Sequence, residues 1–398
     1  MGKHRESKKN KHHNQASSSR RRSFSAAADA DDGESEPYPL APPPSSPNSD
    51  EEVDNIEEEE DEFNRGFEGE NPNPSGDNVP SKFMLYQQSV QSPKGDISYL
   101  CKFFLMYVGG RVPLHLQEDF CGTAFLSAEW LRSDARRTAI GVDLDKEALL
   151  WCMENNVNRV GVNINSRIHL FHGNVLHPHK AKLVNLNHDD PVEKVVQGDG
   201  ADNMQDAMSG LTLNSVTSSN HGTMREHALP GRDIVCAFNY SCCCLHERKQ
   251  LVSYFKNACD ALSKKGGIFV MDLYGGTSSE RELKLQRKFP NFTYIWEQEE
   301  FDIIQRKTRI SLHFHLHKPW RKIRHAFSYS WRLWSLPEVR DCLEEAGFRS
   351  VHFWIREMPD TQDQKSTHGY DAARDVKYDE QTSFKQLDAW NAYVVAVI

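Results

Sequence analysis

Glu118-Asp119-Phe120-Cys121-Gly122-Thr123-Ala124, with Gly141-Val142-Asp143-Leu144-Asp145 following it, decides the fold of this chain. The first run closes an apolar stretch, residues 112–118, that reads as a strand. Residues 123–132 then carry Phe125, Leu126 and Trp130 at helical spacing. The second run closes another apolar stretch, 138–143. Glu118 and Asp143 therefore stand 25 residues apart, the length of one strand-helix unit, each at the end of a strand.

Working outward, the alternation continues. Residues 146–155 predict a helix, 167–174 a strand, 233–238 a continuous apolar strand and 247–262 a helix. Lys264-Lys265-Gly266-Gly267 closes that helix with cations and glycine, and 268–273 is a strand again. Strands separated by helices imply parallel pairing with right-handed crossovers. Residues 294–296, 308–317 and 326–331 read instead as longer antiparallel strands. A helix over 336–346 has Pro337 in its first turn and Gly347 after its end. Strands at 351–355 and 393–398 are expected to join the main sheet. The expected architecture is α/β, a Rossmann-like, doubly wound, mostly parallel seven-stranded sheet with an antiparallel C-terminal hairpin.

In an open parallel sheet, ligands bind beyond the C-terminal strand ends where strand order reverses. The small-residue turn at 120–124 lets a ligand approach backbone amides and a helix N-terminus. Asp143, ending the second strand, is placed to hold both hydroxyls of a ribose. Together these describe a site for an adenosine-type nucleoside. The G-x-G-x-x-G turn of a dinucleotide site is absent, and so is a P-loop. A nicotinamide-dependent reductase is thereby a weak reading.

Charge and composition bound the rest. The chain has 398 residues and a formal net charge of −9. Residues 1–80 hold 9 basic and 19 acidic side chains, which leaves 81–398 at a net of +1. Low hydrophobicity and high charge predict a disordered tail over 1–80, basic first and then acidic, with the folded domain at 81–398. Residues 178–231, rich in Asn, Asp, Gly and Ser, predict a disordered insertion. A near-neutral domain argues against general nucleic-acid coating. No apolar run is long enough for a membrane helix, so no membrane partner is expected. Nine cysteines without a spaced framework indicate a reducing compartment. Lys8, Lys9 and Arg20, Arg21, Arg22 have the spacing of a bipartite import signal, so a nuclear or cytoplasmic location is expected. The acidic stretch from Asp50 to Glu62 is a candidate for recruiting protein partners.

The two opening runs resemble the first and second motifs of class I S-adenosylmethionine-dependent methyltransferases. Where that family has an acidic residue followed by x-G-C-G-T-G, this chain has Glu118, Asp119 and Phe120-Cys121-Gly122-Thr123-Ala124. Phe120 and Ala124 replace two glycines. His172-Gly173-Asn174-Val175 falls where the family contacts adenine. Trp331 to Glu338, leading to Gly347-Phe348, resembles the family's late helix. The resemblance covers residues 83–398 outside the insertion, in an uncharacterised branch sharing the E-D-F-C-G-T run. It implies S-adenosylmethionine as cofactor, held by Glu118, Phe120, Gly122, Thr123, Asp143, Leu144, Asn174, Val175 and Asn239, with Tyr86 in a lid formed by 86–91.

Each residue has a plainer role to weigh. Glu118 caps the following helix or meets the cofactor, and the set favours the cofactor. Asp143 is an N-cap or a ribose ligand, and again the set favours the ligand. Asn174 is either a turn residue or an adenine contact. Asn239 and Tyr240 sit where an acceptor meets the methyl group, but without the prolines of base-methylating enzymes. They are the candidate catalytic residues, with His246, Glu297 and Glu299 as further candidate bases. Cys121 lacks an activating base and reads as a small turn residue. Cys242-Cys243-Cys244 cannot converge on one tetrahedral ion. His313, His315 and His317 share a strand face but lack a further ligand, so no metal is expected. From Asp302 to Arg332 eight basic residues face a single acid, interleaved with aromatics, and the sequence reads as a sheet with an aromatic core face and a wet basic face. The expected function is methyl transfer to an unidentified acceptor, a small molecule ahead of protein or RNA. The alternative is an inactive methyltransferase-like interaction module that recruits partners through the acidic tail.

Overall fold

The computed structural model describes residues 79–157, 166–184, 223–224, 229–361 and 377–398. The chain divides into two units, Met1–Ser75 and Gly76–Ile398, and the described residues all belong to the second. The expectations for the acidic tail, the basic clusters and most of the insertion fall outside the described residues.

Two helices, α1 (Lys82–Val90) and α2 (Pro93–Tyr107), precede the alternating elements: β1 (His115–Asp119), α3 (Phe125–Ser133), β2 (Thr138–Asp143), α4 (Lys146–Cys152), β3 (Ile168–His172), β4 (Lys182–Leu183), β5 (Ile234–Ala237), α5 (Arg248–Ala261) and β6 (Ile268–Gly275). β1 pairs in parallel with β2 on one side and β5 on the other, and the parallel run extends to β3 and β6. The chain moves outward one way through β2 and β3, then crosses back to β5 and β6. That reversal puts the switch point at the C-terminal ends of β1 and β5.

After β6 come β7 (Leu283–Lys288), β8 (Phe292–Gln298), β9 (Lys307–His317) and β10 (Trp320–Arg332), then α6 (Leu336–Ala346), β11 (Ser350–Glu357), β12 (Asp379–Glu380) and β13 (Trp390–Val397). β13 runs antiparallel between β6 and β11, the expected C-terminal hairpin. The sheet order is β12-β11-β13-β6-β5-β1-β2-β3-β4. This is the Rossmann-like architecture, with one correction to the strand count. The sheet has nine strands rather than seven, because the two-residue strands β4 and β12 pair onto its edges. Among the described residues the antiparallel strands between β6 and α6 number four and form a sheet of their own, ordered β10-β9-β8-β7.

Local signals account for the boundaries. α6 starts with a capping box between Ser335 and Glu338, and Gly347 ends it with φ +109°. α5 starts with a capping box between Glu247 and Gln250. β5 and most of β6 are buried, as a sheet covered on both faces requires. On one face α5 and α6 place Phe255, Leu251 and Leu343 against Phe269 and Phe171. On the other, α2, α3 and α4 place Phe103, Trp130 and Leu149 against Leu116 and Val270. Each such side chain contributes about 1.5–3 kcal/mol when withdrawn from water. α1 lies elsewhere: its Leu85 packs with Phe292, Phe314 and Leu316 of the second sheet. Among the described residues no helix is long and apolar enough to cross a membrane.

Candidate functional site

The turn after β1 is built from alternating left-handed residues. Phe120, Gly122 and Ala124 have φ of +55°, +50° and +43°. A Cβ on Gly122 would meet nothing within 4 Å, so the turn is open on that side. The Asp143 carboxylate locks this turn to the end of β2. Its Oδ2 accepts from the Gly122 amide at 2.6 Å and its Oδ1 from the Asp145 amide at 2.7 Å. The N-cap of α4 is Asp145, which accepts from Ala148 N, so Asp143 is left for another role.

A cavity of about 460 Å³ opens at this point. Phe120, Gly122, Thr123, Asp143, Leu144 and Val175 line it, and Tyr86 and Asn239 lie on its wall. Burial pushes the Asp143 carboxyl up, against the amides of Asp145 and Gly122 that hold it down. Two expected cofactor residues are placed outside this lining. Glu118 is buried, and its Oε2 accepts from Ser127 N at 2.9 Å and Ser127 Oγ at 2.6 Å, capping the start of α3. Burial pushes its carboxyl up to about 7. Asn174 turns its Oδ1 onto Leu176 N at 2.8 Å, an Asx turn.

α1 roofs the cavity. Gln87 Nε2 donates to Thr123 Oγ1 at 2.8 Å, Lys82 pairs with Glu147 at 2.9 Å, and the Tyr86 ring lies 5.0 Å from Phe327 of β10. The helix thus joins the first turn, α4 and the second sheet.

A second chamber of about 150 Å³ adjoins the first. Tyr86, Asn239, Tyr329 and Trp331 line both. Asn239 and Tyr240 have φ of +59° and +58°, two consecutive left-handed residues outside glycine. Asp272, within β6, holds them there, accepting from Asn239 N at 3.0 Å and Tyr240 N at 2.8 Å. Strain held by a single carboxylate beside a cavity is a functional pointer. Burial raises the Asp272 carboxyl to about 7. Asp96 of α2 also lines the chamber; it accepts from the Tyr393 hydroxyl at 2.5 Å, and burial raises it to about 6. The Tyr240 hydroxyl donates to Asn391 Oδ1 at 3.2 Å. A third cavity of about 170 Å³, bordered by Leu283, Leu285, Met358 and Trp390, shares Tyr240, Trp296 and Asn391 with the second.

Sequence reasoning missed Asp272, Asp96, Tyr378 and Tyr393. Asp272 carries a signal that could have found it, the one charge in the strand Ile268–Gly275. The three candidate bases His246, Glu297 and Glu299 line none of these cavities. His246 bonds Ser330 O, Glu297 meets His313 at 2.9 Å and Glu299 lies 3.7 Å from Arg309. Cys121, Cys242 and Cys243 are buried and their thiols pushed up by burial, which suits packing rather than nucleophilic attack. His313 accepts from His325 N and His317 bonds Thr293, and among the described residues no group of three side chains could hold a metal ion.

No family model matches the chain, and no curated protein does. Solved structures do. An S-adenosylmethionine-dependent methyltransferase from Clostridium acetobutylicum is 12% identical, with 78% of this chain and 96% of that one covered at a TM-score of 0.44. DesVI of Streptomyces venezuelae is 10% identical, with 81% and 99% covered at 0.47. CalS10 of Micromonospora echinaspora, an amino pentose methyltransferase solved with S-adenosylmethionine bound, is 10% identical, with 81% and 99% covered at 0.45.

Proposed function

We propose that this chain transfers a methyl group from S-adenosylmethionine, held in the larger cavity, to an acceptor in the adjoining aromatic chamber. The observation that carries the reading is Asp143. Its carboxylate sits at the switch point, is tied to the Gly122 amide, and faces a cavity within the range of small-ligand sites.

The residues fit the donor. A carboxylate has about four acceptor positions, and each oxygen of Asp143 takes one close backbone amide, Gly122 on Oδ2 and Asp145 on Oδ1, with the Leu144 amide also near. The remaining positions are available to two ribose hydroxyls. Leu144, Ala148 and Val175 give apolar surface for a purine, and Gly122 leaves room because it has no side chain. Lys82, Gln91 and Thr123 supply polar groups at the wall for an amino-acid moiety. When bound, S-adenosylmethionine supplies a methyl group already activated by its sulfonium.

The protein's own contribution is then placement and dryness. α1 and the Tyr86 ring cover the junction of the two chambers. Asn239, its backbone held by Asp272, lines both. Asp272 and Asp96, with carboxyls raised into the neutral range, can hold a proton that an acceptor gives up. The small size of the second chamber, about 150 Å³, supports a small-molecule acceptor over a protein or RNA.

Calorimetric titration of the full chain with S-adenosylhomocysteine tests this. Micromolar binding is expected, weakened about tenfold or more in Asp143→Ala, because a hydrogen bond to a charged group is worth about 1.5–3 kcal/mol. Absence of binding by folded wild-type protein sinks the proposal.

A further inference from the structure

We propose that the second chamber takes its acceptor as an amine: an ammonium group enters among Trp296, Tyr329 and Trp331 and pairs with the carboxylates of Asp96 and Asp272. This rests on the methyl-transfer reading of the adjoining cavity and names the acceptor class.

The chamber itself carries the inference. Its walls are largely aromatic, and among the described residues no Lys, Arg or His lines it. Ring faces attract cations, and Trp does so most strongly. The two carboxylates set the sign of the charge that belongs there. Among the described residues Asp272 accepts from two backbone amides and Asp96 from a tyrosine hydroxyl, and neither enters an ion pair. A carboxylate drawn out of water without a cation is costly unless something supplies the counter-charge.

Trp331 is 3% exposed and lines both chambers, with its indole N–H buried against the Cys244 thiol, so it is the ring that borders the junction. The third cavity, with Leu283, Leu285 and Met358 on its wall, continues from the second and suits an apolar body attached to the amine.

The chemistry balances. The ammonium gives one proton to the Asp272 carboxylate, freeing the nitrogen lone pair. That pair forms the N–C bond to the methyl carbon as the C–S bond of S-adenosylmethionine breaks. The bonding electrons stay on sulfur, leaving a neutral thioether. The positive charge passes from sulfur to nitrogen, so the product is an N-methylammonium ion, matched to the rings and the Asp96 carboxylate, while Asp272 keeps the proton until it is released to solvent. An alcohol donates a hydrogen bond to a carboxylate but brings no charge to neutralise the pair, and an anionic acceptor is repelled by them.

Tryptophan fluorescence of the full chain, saturated with S-adenosylhomocysteine, reads the chamber directly through Trp296 and Trp331. The probes are 2-phenylethylamine, n-butylamine and tetramethylammonium, beside the neutral isosteres 2-phenylethanol and n-butanol. Saturable changes are expected with the cations, about tenfold tighter than with the alcohols. Asp96→Asn should reduce cation binding about tenfold while leaving S-adenosylhomocysteine affinity intact. Alcohols binding as tightly as amines would overturn the proposal. So would the absence of any saturable amine signal in protein that binds S-adenosylhomocysteine. Amine binding in protein that fails to bind S-adenosylhomocysteine leaves the amine chamber standing and removes the methyl-transfer reading.

Discussion

Phe120, Gly122 and Ala124 each bend the chain into the left-handed region, and these are the three positions where the resembling motif carries glycine. Only one of them is glycine here. A left-handed residue with a Cβ costs roughly 1–2 kcal/mol, so the turn keeps its path against local preference. Packing supplies the difference: Ala124 is fully buried, and the Phe120 ring meets Tyr254 edge-on at 5.4 Å. The motif was therefore legible through Glu118, Gly122 and Asp143 even with two glycines lost. The role of Glu118 was not legible, because a carboxylate at a strand end reads alike as cap or ligand. The structure aims it at Ser127, which leads to a prediction. Glu118→Gln keeps an acceptor for Ser127 and removes a buried charge, so at pH 8 the melting temperature should hold or rise. Glu118→Ala leaves Ser127 N unsatisfied and should lose about 1–3 kcal/mol by urea titration. Equal losses in both variants would contradict the capping role.

At the scale of elements, sequence reading found neither α2 nor α1, and the reason is plainest in α1. Its apolar residues Phe83, Leu85 and Tyr86 turn toward different neighbours, so no single stripe marks it. The resemblance implied a lid over 86–91, and the structure has α1 spanning Lys82–Val90 there. The same difficulty hid the separateness of the second sheet, because antiparallel strands look alike whichever sheet they join. α6 was legible to the residue, since Ser335, Pro337 and Gly347 fix its ends chemically. If α1 closes on a bound donor, hydrogen exchange at its amides should slow when S-adenosylhomocysteine is added. Exchange in α6, far along the chain and packed on α5, should not change. Gln87→Ala, losing the bond to Thr123, should weaken donor binding a few-fold, about 0.5–1.5 kcal/mol. Unchanged exchange in α1 would count against a closing roof.

For the molecule as a whole, buried carboxyls set the response to pH. Glu118 and Asp272 are raised to about 7, and Asp96 and Asp119 to about 6, each chiefly by burial. A raised acid binds its proton more tightly when folded than when unfolded. Between about pH 4 and pH 7 the folded state then carries more protons, so its stability falls as pH rises. The contribution is present in full below the ordinary carboxyl range and is lost by the time pH passes about 7. Urea midpoints of the ligand-free chain should accordingly be higher at pH 5 than at pH 8. Asp272→Asn, which cannot titrate, should flatten that difference. A midpoint that climbs from pH 5 to pH 8 would show that these groups are not the ones governing stability.

The second sheet, Leu283–Arg332, is one uninterrupted stretch that departs after β6 and rejoins before α6. It supplies Tyr294, Trp296, Tyr329 and Trp331 to the inner chamber, whereas Gly122, Asp143 and Val175 come from the parallel sheet. Evolution can thus rewrite one contiguous cassette of the gene and reshape most of the aromatic wall, while Gly122, Asp143 and Val175 are left alone. A laboratory chimera that exchanges the stretch between Gly276 and Ser335 would follow the same seam.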